Sequence, residues 1–366
     1  MNYIWVSSQD ELSAAIEACS QGDWVAVDTE FMRTDTYYPK VGLLQLGTPH
    51  ANFLIDPLAI SDVSPIVTLL EDSSVLKVLH SGSEDFEVFQ RWLSVTPAPV
   101  FDTQVAAAAL GYGYAMGYQK LIETMMNETI PKGETRSDWL QRPLTASQCA
   151  YAAQDVHYLA MVFPRMLSEL DQLERRSWVL QDSVPRATLP TMVPVEDAYK
   201  RQKGLHLLSP RALLLAQQLF EWREREARRK DRPRNRILHD EQIMNLVKAP
   251  DRSWRDLKQA GFHNRTRQRI GDDVLALVDQ ALATAASDLP APLDGKRVPV
   301  DKKQYKELQA ALGELAQSLK VPVEYAATRR DLEHIVRARS RNEVSLPATF
   351  SGWREVHIGP ALLKAC

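Results

Sequence analysis

Carboxylates lie inside apolar segments at three places near the start of this 366-residue chain. Asp28 and Glu30 stand in VAVDTEF, Asp85 stands in HSGSEDF, and Asp155 follows Tyr151 by four residues in YAAQDVHYL. A bare carboxylate in an apolar setting costs roughly several kcal/mol. Two divalent cations about 4 Å apart would compensate all four acids, and such pairs drive in-line displacement at phosphorus. This interpretation requires a fold in which the separated segments converge.

The first two acids share a predicted strand from Trp24 to Phe31. Side chains two residues apart on a strand point to the same face, so Asp28 and Glu30 lie together while the residues between them face the core. For this pair alone, an edge strand with its acids in water is the more favoured explanation.

The other acids lie on predicted helices. Thr145 and Gln148 form a capping box, and Tyr151 and Asp155 share one face of the helix that follows. Asp85 lies at a helix start, where the helix dipole favours a carboxylate. Each feature alone has a structural explanation, a half-buried core tyrosine or a first-turn acid, and only the combination indicates a metal site.

Strand and helix signals alternate in an order typical of an α/β fold. Three predicted strands joined by short turns form an antiparallel meander, and a fourth strand precedes a mainly helical stretch. The chain therefore predicts an α/β domain with a mixed sheet. The predicted strands are Trp24–Phe31, Leu43–Leu46, Asn52–Ile55 and Val75–His80, and the predicted helices begin near Gln9, Glu84, Thr103, Gly117 and Thr145.

Proline-marked breaks at Pro185–Pro194 and Leu289–Pro299 divide the chain into three predicted domains. The α/β domain covers residues 1–190, and two all-α segments that suggest a degenerate repeat cover 207–287 and 296–366. No apolar run approaches the roughly 20 residues of a membrane span, and no signal peptide is evident. The scattered cysteines indicate reduced thiols, so we expect a cytoplasmic protein without membrane association.

The three acidic motifs resemble those of the DEDD superfamily of exonucleases, in its tyrosine-bearing subgroup. RTDTYYPKVGLLQL and KGETRSDWLQRPLTASQCAYAAQDVHYL are similar to the ribonuclease D family, and LSPRALLLAQQLFEWREREARRKDRPRNRILHDEQIM resembles an HRDC domain, a helical module that helicases share. The resemblance implies a ribonuclease H-like mixed-sheet exonuclease domain followed by two HRDC-type helical domains. The last segment matches least well.

The resemblance also implies roles for the five motif residues. Asp28 and Asp155 would contact metal directly, Glu30 would support the metal that activates water, and Asp85 would act on the second metal. Tyr151 matches the residue that orients the attacking water, which suits a phenol whose ordinary pKa is about 10. Oxygen ligands of this kind suit two Mg²⁺ or Mn²⁺ ions.

Four further residues are candidate substrate contacts. Phe31 could stack on the terminal base, and Gln45 and His80 lie on strands along which the family's substrate groove runs. Arg136, in a polar loop, could reach a phosphate. A core aromatic, a core histidine and a solvated arginine are the respective alternatives for Phe31, His80 and Arg136.

Charge is unevenly distributed along the chain. Residues 1–190 hold 12 Lys and Arg against 24 Asp and Glu, whereas residues 191–366 hold 32 against 23. Two basic runs, Trp222–Arg236 and His263–Arg269, lie in the second part. Such runs are often ordinary solvated surface, but beside a nuclease they favour binding to the RNA backbone.

These observations predict a metal-dependent 3′→5′ exoribonuclease that releases 5′-mononucleotides. Its expected partner is RNA with a free 3′ end, in particular tRNA precursors, and no obligate protein partner is evident. A 3′→5′ DNA exonuclease would use the same site chemistry, and digestion of matched RNA and DNA separates the two. A non-catalytic RNA-binding protein is disfavoured because all four acids and Tyr151 are present.

Overall fold

The first part of the chain forms a mixed sheet covered by helices. The computed structural model describes residues 2–131, 133–134, 137–184, 193–249, 253–293 and 300–365. The strands run in the order β1-β4-β3-β2-β5-β6, with β4, β3 and β2 antiparallel and the other pairs parallel. They are β1 (Ile4–Val6), β2 (Trp24–Met32), β3 (Lys40–Gly47), β4 (Asn52–Ile55), β5 (Leu76–Leu79) and β6 (Val100–Asp102).

Seven α-helices accompany this sheet in the described residues. Capping boxes at Ser8 and Thr145 begin the first and the sixth helix, in agreement with the starts predicted near Gln9 and Thr145. The helices are α1 (Gln9–Ser20), α2 (Ser64–Glu71), α3 (Ser83–Trp92), α4 (Thr103–Ala109), α5 (Tyr118–Met126), α6 (Ala146–Gln172) and α7 (Arg176–Ser183).

The long helix α6 and the segment before it lie very close to β3. A Cβ atom on Gly47 would come within 2.7 Å of the Val156 carbonyl oxygen, and a Cβ on Gly42 within 2.5 Å of the Trp139 carbonyl oxygen. Only glycine allows backbones to approach so closely. The two glycines therefore allow α6 and the segment before it to pack directly against the backbone of β3.

A partly buried ion pair fixes the segment that leads into α6. Arg142 donates to both carboxylate oxygens of Asp56, at 2.6 and 2.7 Å, and also to the carbonyl oxygens of Gly42 and Trp139 at 2.6 and 3.0 Å. Bidentate arginine–carboxylate pairs of this kind are geometrically specific. Arg142 therefore ties the segment before α6 to β3 and to the end of β4.

The described residues divide into two units by their contacts. One unit comprises residues 2–32, the described residues of 40–184, and 300–365; the other comprises Arg33–Pro39 and the described residues of 193–293. The second unit is helical around a core that includes Tyr37, Leu213 and Leu246. Its helices are α8 (Pro210–Lys230), α9 (Arg234–Ile237), α10 (Asp240–Lys248), α11 (Trp254–Gln259) and α12 (Asn264–Ala283), with 3₁₀ turns at Val195–Arg201, Leu205–Leu207 and Ala286–Asp288.

The helices after residue 300 share one core with the α/β domain. The indole rings of Trp178 and Trp353 stack with centroids 4.3 Å apart, and Arg175 donates to the Leu319 carbonyl oxygen at 2.5 Å. The expected separate domain over 296–366 therefore packs within the first unit; its likeness to an HRDC domain stays a prediction. These helices are α13 (Lys302–Ser318), α14 (Val323–Ala326), α15 (Arg329–Arg339), α16 (Trp353–His357) and α17 (Gly359–Lys364).

The predicted mixed sheet and its antiparallel meander are confirmed. The sequence patterns did not reveal β1, β6, α2 and α7. The two strands have only three residues each, too few for alternation to be visible. The two helices lack a side-chain hydrogen bond at the N-cap, so the usual start signal is absent.

None of the helices in the described part of the chain combines the length and the apolar character that crossing a bilayer requires.

A buried ion pair joins the C-terminal helices to the α/β domain, and its contribution to the free energy of unfolding can be predicted. Arg354 lies over Trp353 and donates to both oxygens of Asp182, at 2.9 and 2.8 Å, with both side chains nearly buried. We expect Arg354→Ala to lower the free energy of unfolding by about 3 kcal/mol, because it leaves a buried carboxylate without its cation. Urea denaturation measures the change.

Arg341→Ala is the matched control, because Arg341 pairs with Glu343 where both side chains are about half exposed. Its expected cost is below about 1 kcal/mol. Equal decreases for the two variants would show that the Arg354 pair adds nothing to the packing.

Candidate active site

Three of the four acids meet where α6 crosses β2. Asp28 and Glu30 are partly buried on the face of β2 that turns towards α6, and Asp155 approaches from the helix. One carboxylate oxygen from each of the three lies within 4.8 Å of the others. The period of two along the strand and the packing of α6 above it produce this convergence.

The fourth acid reaches the same region from α3. Asp85 lies in the first turn of that helix, and the Thr29 hydroxyl donates a hydrogen bond to its carboxylate. Its charge acts on both Asp28 and Glu30. Asp85 is therefore beside the three-acid group, held by the residue that separates Asp28 from Glu30.

Burial and mutual repulsion dominate the electrostatics of the acids. Burial, and then the charges of Asp85, Asp155 and Glu30, hold the pKa of Asp28 well above its ordinary value. Burial, and then the neighbouring Asp155 and Asp85, raise the pKa of Glu30 to about 9. Burial also raises the pKa of Asp155 to about 7 and that of Asp85 to about 6. Hydrogen bonds from Tyr151 to Asp155 and from Thr29 to Asp85 act in the opposite direction and lower these pKa values.

These carboxylates fit a divalent cation. Every donor is an oxygen atom, which is the ligand type that Mg²⁺ and Mn²⁺ prefer. The charges raise one another's pKa values, and no Lys or Arg of the described residues is among the main influences on the pKa of Asp28, Glu30 or Asp155. A cation between them would therefore relieve a repulsion that the described residues leave uncompensated.

Tyr151 lies one helical turn before Asp155 and faces the same group. Its hydroxyl is hydrogen-bonded to the Asp155 carboxylate, and its ring packs 6.2 Å from that of Trp139. Burial, followed by the charges of Asp155, Glu30 and Asp28, raises its pKa far above 10. Gly133 passes over the ring so closely that a Cβ there would come within 1.7 Å of it. Tyr151 is thus a protonated phenol held in one orientation.

Sequence reasoning missed two supporting residues, Thr29 and Tyr118. The Tyr118 hydroxyl donates to the main-chain carbonyl oxygens of Asp155 and of Gln154, the latter at 3.2 Å. Thr29 had a visible signal, because it is the one residue between two acids on a strand. Tyr118 had none, because its contact with α6 depends on how α5 packs.

The four candidate substrate contacts lie in different settings. Phe31 is half-buried at a β-bulge that follows Glu30. Gln45 is fully buried, in register with Asp28, and so lies under the acids instead of in an open groove. His80 packs against Tyr118 and its Nδ1 lies 2.9 Å from the Thr103 hydroxyl, which favours the core-histidine alternative. Arg136 lies outside the described residues.

The two basic runs meet on the surface of the second unit. A cavity of about 530 Å³ is lined there by four cations and by two isoleucines. The cations come from the end of α8, the turn after it, α9 and α12, and no acid of the described residues lines the cavity. They are Lys230, Arg232, Arg236 and Arg269.

Other arginines of the first basic run are engaged inside the second unit. Arg223 is nearly buried and pairs with Asp240 at 2.5 Å. Arg228 and Arg234 both pair with the buried Glu224, at 2.9 and 2.5 Å, around the Tyr37 hydroxyl. Acids of the same unit therefore hold these three arginines, so the expected binding to the RNA backbone rests on other cations of the two runs.

Comparison with known proteins agrees with this geometry. The model of a 3′-5′ exonuclease family matches residues 3–171, and the model of the HRDC domain matches residues 212–278. The mixed sheet and its acids thus belong to a 3′-5′ exonuclease domain with a helical HRDC domain after it.

Similar sequences and a similar crystal structure indicate the family of this chain more specifically. Ribonuclease D of Pseudomonas paraeruginosa is 37% identical over 99% of this chain and 96% of its own length, and ribonuclease D of Escherichia coli is 34% identical over 99% and 98%. The crystal structure of the Escherichia coli protein, described as an exoribonuclease involved in structured RNA processing, superposes with a TM-score of 0.89 at 33% identity, covering 100% of this chain and 98% of that one.

The chain belongs to the ribonuclease D family. It is a 3′→5′ exoribonuclease, and the exonuclease family to which its first domain belongs depends on divalent metal. The catalytic core of RRP6 from Trypanosoma brucei, with a TM-score of 0.60 at 23% identity over 77% of this chain and 80% of that one, shares the fold.

The raised pKa of Glu30 predicts how the free energy of unfolding of the metal-free protein changes with pH. The folded form keeps a proton on Glu30 up to about pH 9, whereas the unfolded chain loses it near pH 4.5. The free energy of unfolding should therefore fall as pH rises through this window. We expect Glu30→Gln to flatten the fall and to stabilise the metal-free protein by about 1–3 kcal/mol at pH 8.

Urea denaturation in chelator between about pH 5 and pH 9 measures this. Glu123→Gln, which changes an exposed glutamate paired with Lys120, is the control and should follow the parent protein. Parallel curves for the parent and Glu30→Gln would contradict the predicted repulsion.

Proposed function

We propose that this exoribonuclease removes nucleotides one at a time from a free RNA 3′ end, releases 5′-mononucleotides, and acts on tRNA precursors. The convergence of Asp28, Glu30 and Asp155 oxygens within 4.8 Å carries the proposal. Oxygen donors at this spacing suit Mg²⁺ or Mn²⁺, and two such ions would supply Lewis acidity for the cleavage of a phosphodiester. The Escherichia coli relative, an exoribonuclease involved in structured RNA processing, supports RNA as the substrate.

The four acids would have different roles in binding the ions. Asp28, Glu30 and Asp155 would be direct ligands, and Asp85, held by Thr29, would act on the second ion from the side. The ions, when bound, supply acidity to the attacking water and stabilise the charge that develops on the leaving 3′-oxygen. The protein's part is to fix the ligands before substrate arrives.

Tyr151 would orient the attacking water through a hydrogen bond of its hydroxyl group. Because its pKa lies far above 10, the phenol keeps its proton at neutral pH and cannot accept the proton of water. Gly133 and Trp139 limit the ring's movement, so the hydroxyl direction is set in advance. Phe31 remains a candidate for stacking on the terminal base, and Arg136 for a phosphate contact.

The cationic cavity of the second unit would hold the RNA backbone. Lys230, Arg232, Arg236 and Arg269 line the cavity with no acid among the described lining residues, although Lys230 also pairs with Glu226 at 2.5 Å. Neutralising phosphates releases counterions and makes affinity salt-dependent. The free thiols of Cys19 and Cys149 fit a cytoplasmic location, which we propose for the enzyme.

The direct test is digestion of 5′-labelled RNA and of a DNA oligonucleotide with the same sequence. We expect a ladder of RNA products shortened from the 3′ end, with 5′-mononucleotides released and no reaction in chelator. Asp155→Asn should lower turnover more than roughly a hundredfold, since even residues behind metal ligands cost 10- to 100-fold. RNA affinity should be largely unchanged, because the backbone contacts lie elsewhere.

Product size and end chemistry are resolved by gel and by mass spectrometry. Equal rates on RNA and DNA would remove the RNA assignment, and normal digestion by Asp155→Asn would remove the site. Digestion of a tRNA precursor against an unstructured RNA of equal length tests the substrate class. No preference for the precursor would confine the proposal to RNA ends in general.

A second prediction concerns the cationic cavity. Truncating the chain is unsuitable, because the helices after residue 300 complete the core of the first unit. We expect Arg232→Gln with Arg236→Gln to weaken RNA binding, because fewer phosphates are neutralised. The slope of log affinity against log salt should become shallower by about 0.7 for each phosphate that the variant leaves without a cation.

Fluorescence anisotropy with catalysis blocked by chelator gives the slope. The control removes the same charge from the first unit, by Arg329→Gln with Arg341→Gln, two exposed arginines on or after α15. An identical slope for both double variants would mean that the cavity is ordinary surface.

A further inference from the structure

Gln45 is a buried amide beneath the acids that makes no hydrogen bond to any residue the structure describes. Its side chain is fully buried, and neither Oε1 nor Nε2 has a partner among the described residues. Leaving a buried donor or acceptor unsatisfied costs about 1–3 kcal/mol. Such a group in a folded protein needs an explanation, and a role beside a binding site is one of them.

The strand register places this amide next to a metal-binding acid. Gln45 of β3 pairs directly with Asp28 of β2 and, on its other side, with Leu54 of β4. Directly opposed residues of antiparallel strands point to the same face with Cβ atoms about 5 Å apart. A glutamine side chain is long enough to reach a neighbouring carboxylate across that distance.

The surrounding packing confirms which face this is. Leu43 and Leu54 pack in one cluster with Ala152 of α6, and Gly47 comes against Val156. Positions 43, 45 and 47 of β3 therefore all face α6, the helix that carries Asp155. Gln45 is the polar member of an otherwise apolar row.

An apolar residue would serve packing better at this position. Leucine stands at position 43 on the same strand and at position 54 on the next, both fully buried. Replacing an unsatisfied buried amide by a hydrocarbon of similar volume removes a desolvation cost. Packing alone thus gives no reason for an amide here, whereas an ionised carboxylate next to it does.

We propose that Gln45 is a positioning residue for Asp28: its Nε2 donates a hydrogen bond to the Asp28 carboxylate when that carboxylate holds a cation. This rests on the metal-dependent function proposed above. A carboxylate that binds an ion through one lone pair still has others to accept a hydrogen bond, and a donor behind it fixes its direction. Gln45 would not touch the substrate, which corrects the groove contact expected from the sequence.

The test compares Gln45→Met with the parent protein in two measurements. Methionine is unbranched and similar in length, so it fills the space without a donor. In chelator, thermal unfolding of the variant should occur at the same temperature as in the parent protein or higher, because no unsatisfied amide remains. Titration with Mn²⁺ alone, by calorimetry, should show a dissociation constant raised 10- to 100-fold, the usual effect of removing a group behind a metal ligand.

Leu54→Met is the matched control, because it changes packing in the same row on the side away from Asp28. It should leave Mn²⁺ affinity unchanged. If Gln45→Met does not fold, Gln45→Leu replaces it in the test. Leucine is the residue at the neighbouring positions 43 and 54. Unchanged Mn²⁺ affinity in a folded Gln45 variant, or an equal decrease in Leu54→Met, would overturn the proposal.

The two measurements distinguish a failure of the Gln45 proposal from a failure of the proposed function on which it rests. If the parent protein itself binds no Mn²⁺, the metal site and the proposed function fail together, whatever Gln45 does. If the parent protein binds the ion and digests RNA while Gln45→Met binds it equally well, the function stands and only the role of Gln45 is refuted.

Discussion

The mutual repulsion of Asp28, Glu30 and Asp155 is the constraint on which the rest of the active site depends. Three carboxylates whose oxygens approach within 4.8 Å cannot all be ionised in a partly buried place without a cation. The metal-free protein meets this by keeping protons, as the raised pKa values of Glu30 and Asp155 show. The fold therefore holds the carboxylates in an unfavourable arrangement that a divalent ion would relieve, as is usual in preorganised metal sites.

The scaffold that holds this arrangement is rigid for identifiable reasons. Gly42 and Gly47 let α6 approach the sheet, and Arg142 with Asp56 fixes the segment that leads into it. Thr29 also donates a hydrogen bond to Asp85, so the residue between Asp28 and Glu30 positions the fourth acid. Each of these contacts joins elements that are distant in sequence, and each acts before any substrate is bound.

The chain's local patterns predicted the elements that carry the site. The capping box at Thr145 located α6, and the spacing of two between Asp28 and Glu30 placed both on one face of β2. Tertiary pairing decided what local patterns could not. Arg228 and Arg234 look like solvent-facing charges in the sequence, yet both are held by Glu224, because ion pairs form between elements whose packing no local pattern specifies.

The amino-acid sequence by itself determined which acids and which tyrosine were available, on which kind of element, and which family they resemble. This information is legible because helix and strand periods are local properties of the backbone. Only the tertiary structure decided how close the carboxylates lie, that Thr29 and Tyr118 support them, and that Gln45 is buried without a partner among the described residues. Distance and burial arise from packing between remote segments, and packing is a property of the whole chain.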